Sequence, residues 1–346
     1  MAGLFDLEFH EKKIKEYQPT LAKLDLVIDW EIFRETIEKA LYVEPKGAGG
    51  RPPFDKIMMF KILILQKYYN LSDEQTEFQI NDRTSFKQFL GLKIGDTIPD
   101  EKTIWHFKEQ LANKDLSKSL FEMFTVVLMD KGIIAKEGSI VDATFVDVPK
   151  QRNSKEDNAD IKKGAVPLKF GKKDKNGKQS KLCQKDTDAR WMTKSGEKHF
   201  GFKDHINADE KTKLITKYSV TSAAPHDSTE IENIVDETDN RLHADSAYRS
   251  KEIEEHLKAI ECESFVHEKG YRGSPLTEQQ KESNNKKSKI RARVEHIFGF
   301  MTNSMNNALY MRSIGIKRIK ESIGLLNLTY NLFRFEQLIR LEKVKI

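Results

Sequence analysis

Cysteine is nearly absent from this 346-residue chain: Cys183 and Cys262 are the only two. That is too few for a disulfide scaffold or a cysteine zinc site. Long apolar runs are missing as well. The best, Ile57 to Leu65, is interrupted by Lys61 and falls well short of the roughly 18 residues a membrane span needs. The opening MAGLFDLEFHEKK has neither a basic n-region nor an apolar h-region, so no secretory signal is expected. No internal repeat is visible. These absences exclude membrane-embedded and disulfide-rich secreted classes. What is present, 38% hydrophobic and 33% charged residues, also excludes disorder. It predicts a soluble intracellular protein, of a length that fits two domains or one large domain with an appendage.

Charge is only slightly unbalanced overall, 59 Lys and Arg against 54 Asp and Glu, a net of +5. The distribution is more telling. Between Lys150 and Lys181 eleven basic residues face four acidic ones, and from Lys286 to Arg293 five of eight residues are basic. A solvated surface explains most such runs. Two of them flanking a carboxylate-bearing core favour a polyanionic partner, nucleic acid.

The chain changes period near Gly138. Before it, residues 1–131 read as a helical module. An apolar helix over Phe54–Tyr69 follows a glycine-rich hinge at 47–50. A second helix is opened by the capping box Ser72 and Gln75, and a third lies at Thr84–Leu90. A fourth opens at Pro99-Asp100, and a fifth ends at Gly132. Short helices with tight turns fit a helix-turn-helix-like unit, and a plain bundle has the same pattern. After Gly138, SIVDATFVDV is a buried strand. A Lys-rich excursion over 149–197 carries no periodicity. Strand signals return at 199–208 and 214–221, then a helix over 229–237, a strand at 241–244, a helix at 251–260 and a strand at 264–267. Helices at 286–306 and 316–340 close the chain. The second part, 132–346, is therefore α/β with a mixed sheet.

An ionised Asp142 inside SIVDATFV costs several kcal/mol unless paired or metal-bound. Alternation puts it on one face with Ile140 and Thr144, and puts Val141, Ala143 and Phe145 on the other. Asp245 sits where HADSAYRS leaves a strand, where open α/β sheets place ligands. Taken singly, each has a plain explanation, as an acceptor for a neighbouring loop or as a cap. Glu295 follows Arg291 by one helical turn at the edge of an apolar stripe; an exposed i,i+4 pair fits that spacing. So does a carboxylate aimed from a helix at two on strands. Three converging carboxylates repel each other and call for a hard divalent cation, Mg²⁺ with Mn²⁺ able to substitute. Two such ions would clamp the attacking and leaving oxygens of a phosphodiester.

The sequence resembles the bacterial insertion-sequence transposases with a DDE triad, in the group typed by insertion sequence 5 and related to that typed by insertion sequence 4. The resemblance runs through GRPPFDKIMMFKILILQKYYNLSDEQTEFQINDRTSFKQFLGL, IPDEKTIWHF, SIVDATFVDVPKQRN, QKDTDARW, VTSAAPHDS, LHADSAYRS and RARVEHIFGFM. It implies a ribonuclease-H-like core behind the helical module, with Asp142, Asp245 and Glu295 as the metal-binding triad. It also implies cleavage at terminal inverted repeats and strand transfer by a 3′-hydroxyl, carried out by a homodimer on DNA in the cytoplasm, at the nucleoid. The Tyr, Arg, Glu and Lys signature of the related group is half present: Arg291 and Glu295 fit it, while Ser288 and Thr302 stand at the Tyr and Lys positions. Lys287, Lys289 and Arg293 are candidates to replace those phosphate contacts.

Other candidates carry two readings each. His226 and Asp227 form a recurring block of the family, which would set Asp227 near the metals, while Asp strongly favours the helix-cap position that Asp227 would also fill. His243 is a partner of Asp245 or a satisfied core histidine. Trp191 is a stacking surface for an extruded base or an anchor of the excursion. Trp30 and Trp105 read as core. Two rival functions remain: a metal-dependent nuclease of the same fold that cuts without joining, and a catalytically silent DNA-binding repressor.

Overall fold

The computed structural model describes residues 6–17, 19–44, 52–134, 137–167, 169–173, 179–181, 183–194 and 196–344. The glycine stretch 47–50 lies outside them. Contacts divide the chain into one unit of Met1–Ala135, Gly299–Ala308 and Gly324–Ile346, and a second of Lys136–Phe298 and Leu309–Ile323.

The first unit is helical: α1 (Asp6–Glu16), α2 (Thr20–Val27), α3 (Arg34–Ala40), α4 (Lys56–Tyr69), α5 (Asp73–Asp82), α6 (Thr84–Phe89), α7 (Glu101–Lys114) and α8 (Leu116–Asp130). The Asp55 carboxylate caps α4 by accepting from Met58 N–H, and Asn70 ends that helix in the left-handed region at φ 49°. The Ser72–Gln75 capping box opens α5 as expected. The core is aromatic: Phe33 packs on Phe60 at 4.9 Å, Trp30 meets Phe89 edge-on at 5.6 Å, and Tyr68 stacks on Phe333 at 3.9 Å. Trp30 is core, but Trp105 is 50% exposed. The buried stripe of α7 runs through Ile104, Phe107 and Leu111, and Trp105 lies one helical step off it.

The second unit is built on β1 (Ser139–Asp147), α9 (Lys155–Lys162), β2 (Gly171–Lys173), β3 (Gln179–Lys181), β4 (Arg190–Lys194), β5 (Glu197–Asp209), β6 (Ile215–Ser222), α10 (Ile231–Ile234), β7 (Arg241–His243), α11 (Lys251–Ala259), β8 (Glu263–Ser264), α12 (Glu278–Arg291) and α13 (Glu295–Gly299). The last helix, α14 (Ile316–Arg340), begins in this unit and ends in the first. Strand β1 is central. It pairs antiparallel with β5, which pairs antiparallel with β4 and β6; on its other edge β1 pairs parallel with β7, and β7 with β8. Four strands paired antiparallel, joined through β1 to two parallel ones, make a six-stranded, ribonuclease-H-like mixed sheet. Gly201 faces Asp147 across the β1–β5 ladder, and a Cβ there would collide with the Val146 carbonyl oxygen.

Three local expectations are corrected. The stretch expected to be one helix over 286–306 is interrupted. From Arg293 to Ile297 each backbone N–H bonds the carbonyl three residues back, a tightened 3₁₀-like run between α12 and α13. The excursion is not featureless: a Ser154–Asp157 capping box opens α9, and Asp186 and Asp188 accept from the N–H groups of Gly315 and Ile316 at the start of α14. The helix expected over 229–237 is instead a 3₁₀ turn at Asp227–Glu230 followed by the single turn α10.

Candidate functional site

The two faces of β1 differ in chemistry. Val141 joins Ile231, Ile234, Leu242, Ala244, Tyr248, Ile253, Leu257 and Val266 in a buried apolar layer under α10 and α11. Asp142 lies on the other face. The parallel register sets Ile140 beside His243. The pairing stops there; the same register extended by two residues would set Asp245 opposite Asp142, and the Asp245 charge is felt at Asp142. Asp245 caps the turn Ser246–Tyr248, accepting from Ala247 N–H at 2.8 Å, which fixes its carboxylate at the strand end.

Helix α12 supplies the rest. Thr277 and Gln280 cap its start. It is then fastened along residues 266–268. The Asn284 side chain accepts from Glu268 N–H at 2.8 Å and donates to the Glu268 carbonyl at 3.0 Å. Lys287 donates to the Val266 carbonyl at 2.8 Å. Ser288 Oγ lies 3.4 Å from His267 Nε2. One turn on, Arg291 Nη2 donates to Asp142 Oδ2 at 2.9 Å and lies 3.9 Å from Glu295 Oε1. The Glu295 side chain is 62% exposed. The 3₁₀-like turn that carries it is tied down by Arg293, whose guanidinium donates to the Glu210 carbonyl at 2.6 Å.

Asp142 is held tightly. Its Oδ1 accepts from Ala143 N–H at 2.8 Å. Burial pushes its carboxyl up to about 6, against the pull of Arg291 and of the Ala143 N–H, and the Asp245 charge pushes the same way as burial. Tyr248 is fully buried with its hydroxyl unpartnered; burial first, then the charges of Asp142, Asp227 and Asp245, push it well above the ordinary tyrosine range. His267 is lowered by burial and by Arg291 and Lys287, with Asp245 opposing. Tyr248, from the apolar layer, and His267 both feel the charge of these acids, and sequence reasoning missed both. Tyr248 lies inside the HADSAYRS block, three residues past Asp245.

The remaining candidates are placed as follows. His226 is the cap of the Asp227–Glu230 turn, through its own ring nitrogen. Asp227 is not a cap: its Oδ1 lies 2.7 Å from Lys203 Nζ, a buried ion pair. His243 is buried, stacked on Phe265, with Nε2 3.2 Å from Glu210 Oε2. Among Lys287, Lys289, Arg291 and Arg293, Lys289 is the exposed one, while the other three hold protein oxygens. Trp191 is 46% exposed and leans on Phe200.

The donor set is all oxygen, which suits a hard divalent cation. Yet among the described residues no three His, Cys, Asp or Glu side chains are drawn together closely enough to hold an ion. Asp142 and Glu295 both lie against Arg291, and Asp142 feels the charge of Asp245. No described helix is long and apolar enough to cross a membrane.

Comparison with known proteins identifies the family. Residues 8–110 match the transposase domain (DUF772) family. The crystal structure of a pre-cleavage Mos1 transpososome is similar at 9% identity over 88% of this chain and 84% of that one, with a TM-score of 0.23, too low to argue from. Residues 134–332, more than half of the chain, match the transposase DDE domain family and span Asp142, Asp245 and Glu295. The chain therefore belongs to the DDE transposases, enzymes of nucleotidyl transfer.

Proposed function

We propose that Asp142, Asp245 and Glu295 hold the divalent metal of this transposase, Mg²⁺ or Mn²⁺, and that one site serves two reactions. The first is cleavage at the inverted repeats of an insertion sequence of the group typed by insertion sequence 5. The second is joining of the freed 3′-hydroxyl to target DNA. The observation that carries the reading is the convergence on Asp142: the Asp245 charge is felt there, and Arg291 reaches it from the helix end that leads to Glu295. A pair of ions bound there would activate the attacking oxygen and offset charge on the leaving one. The chain's own part is positioning. The strand fixes Asp142, the capped turn fixes Asp245, and α12, fastened at Asn284 and Lys287, delivers Arg291 and Glu295. Lys289 and Arg291 face the DNA phosphates; Lys287 and Arg293 orient the helix through protein carbonyls. Residues 1–131 bind the repeats and the second copy of a homodimer, and 132–346 catalyse, in the cytoplasm at the nucleoid.

The test is a strand-transfer assay with Mg²⁺, duplexes ending in the gene's flanking repeats, and supercoiled target. Asp142→Asn, Asp245→Asn and Glu295→Gln should each lower cleavage and joining by at least about a thousandfold, about 4 kcal/mol of barrier, with DNA binding retained. Retained cleavage in any of the three removes that residue from the set. Cleavage without joining in the unmodified protein makes it a nuclease, and binding alone makes it a repressor.

A further inference from the structure

We propose that Arg291 is the resident cation of the acid site in the metal-free protein, and that metal loading requires its guanidinium to leave Asp142. The inference rests on the reading of Asp142, Asp245 and Glu295 as metal ligands, and it adds a regulation of that site. Both oxygens of Asp142 are already engaged, Oδ1 by the Ala143 N–H and Oδ2 by Arg291 Nη2 at 2.9 Å. The same Nη2 is 3.9 Å from Glu295 Oε1, so one positive nitrogen neutralises two of the three acids. A divalent ion drawn to those oxygens meets a like charge within a few ångströms, in a setting buried enough to raise the Asp142 carboxyl.

Two independent features mark this seat as one Arg291 can leave. Its Nε is buried with no hydrogen-bond partner, so the guanidinium is only partly satisfied there. A phosphodiester presents two oxygens in the plane that guanidinium prefers. Second, Arg291 is the last residue of α12, and the chain beyond it is the 3₁₀-like turn that carries Glu295. Short 3₁₀ stretches inside helices are common hinge points. A small rotation there carries Arg291 off Asp142 toward DNA and brings the exposed Glu295 inward. Metal and phosphate binding then favour each other through one residue, and the coupling is reciprocal.

The experiment is Mn²⁺ titration of the full chain without DNA, reading free Mn²⁺ by electron paramagnetic resonance. Arg291→Gln should bind Mn²⁺ at least about tenfold more tightly than the unmodified protein, equivalent to about 1.4 kcal/mol. Arg291→Lys, which keeps a charge, should stay closer to the unmodified protein. Unchanged or weaker binding in Arg291→Gln overturns the proposal, as does equal tightening in both variants. A further readout needs no substitution at Arg291: saturating Mn²⁺ should speed its modification by phenylglyoxal, mapped by peptide, and no change in that rate counts against displacement. Asp142→Asn and Asp245→Asn control the premise. Mn²⁺ binding that ignores both overturns the metal-ligand reading itself, an outcome distinct from failure at Arg291.

Discussion

Two oppositely charged pairs sit on opposite faces of the β1–β5 ladder, and they differ in how completely they are closed. On the face lined by Phe145, Lys203 is 4% exposed; its Nζ lies 2.7 Å from Asp227 Oδ1 and donates to the Pro225 carbonyl at 2.6 Å. It also lies over the Phe145 ring, 5.5 Å from the centroid. On the other face Arg291 reaches Asp142 from a helix end, with Nε unpartnered and its second acid mostly in solvent. Both pairs neutralise a carboxylate. In the first the lysine has both a counter-charge and a carbonyl acceptor within the fold, and both partners are largely shielded from solvent; in the second a guanidinium nitrogen is unpartnered and the second acid is mostly exposed, and that pair is the one among the proposed metal ligands. Burial of charge alone does not mark a functional group; the contrast lies in how much of each pair stays open to solvent.

The largest expected effect on folding comes from breaking the closed pair. Lys203→Met leaves the Asp227 carboxylate and the Pro225 carbonyl without a donor, and should cost about 3–5 kcal/mol in urea unfolding. A loss below about 1 kcal/mol would mean that Lys203 is no more structural than a surface lysine, and the contrast between the faces would go.

His205 sharpens the same contrast through pH. It lies on the Lys203 face, bonded to Thr221 at 2.9 Å, and burial lowers it to about 4, with Lys203 acting the same way and Asp227 and Glu230 opposing. Its folded pKa lies below the unfolded one near 6.5, so the unfolded chain takes up the proton first as pH falls. Stability from the neutral imidazole is complete above 6.5 and is lost progressively toward 4, by about 3 kcal/mol in all. In His205→Gln that share of the acid limb should vanish. An unaltered limb would show that the ring is solvated when charged.

Much of this was legible in the chain. Asp142 stood out because a carboxylate inside a β-branched apolar run has no solvent to meet it, and Asp245 because it ends a strand. The same rule applied to GFKDHINA would have singled out Lys203, a charge in the buried strand β5. Alternation places Val141 in the apolar layer on one face of β1, and the Ser72–Gln75 spacing predicts the cap that opens α5. The helix break after Arg291 was not legible, because RARVEHIFGF contains no proline and its one glycine comes four residues after Glu295. A candidate cause is tertiary, the tether from Arg293 to the Glu210 carbonyl. Trp105 misled because a large apolar residue inside a helical stretch was read as core, when only its phase against Ile104 and Phe107 decides. The excursion's helix could have been found from Ser154 and Asp157, three residues apart.

The smallest of these effects has an unexpected sign and bears most directly on the open pair. Asp142 is raised from 3.8 to about 6 by burial, so the folded chain binds its proton more readily than the unfolded chain does. The folded state gains as pH falls through 6, and the cost of keeping the carboxylate ionised is complete above it. At about 1.4 kcal/mol per unit that cost is roughly 3 kcal/mol at pH 7. Asp142→Asn has nearly the same shape and no charge. It removes that cost, a figure already net of the pull of Arg291, but its one amide oxygen cannot serve both Arg291 and the Ala143 N–H, and the donor left without an acceptor costs about 1–3 kcal/mol. In metal-free protein the variant should therefore be more stable at pH 7 by up to about 2 kcal/mol, and the gain should fade by pH 4, where the unmodified residue is itself protonated. Urea midpoints in EDTA at the two pH values read this directly. A gain at pH 7 identifies an acid kept against the interest of the fold, as binding a metal requires. A clear loss at pH 7 would put Asp142 in the same class as Asp227, a carboxylate the fold needs, and the two faces of the ladder would no longer differ in kind.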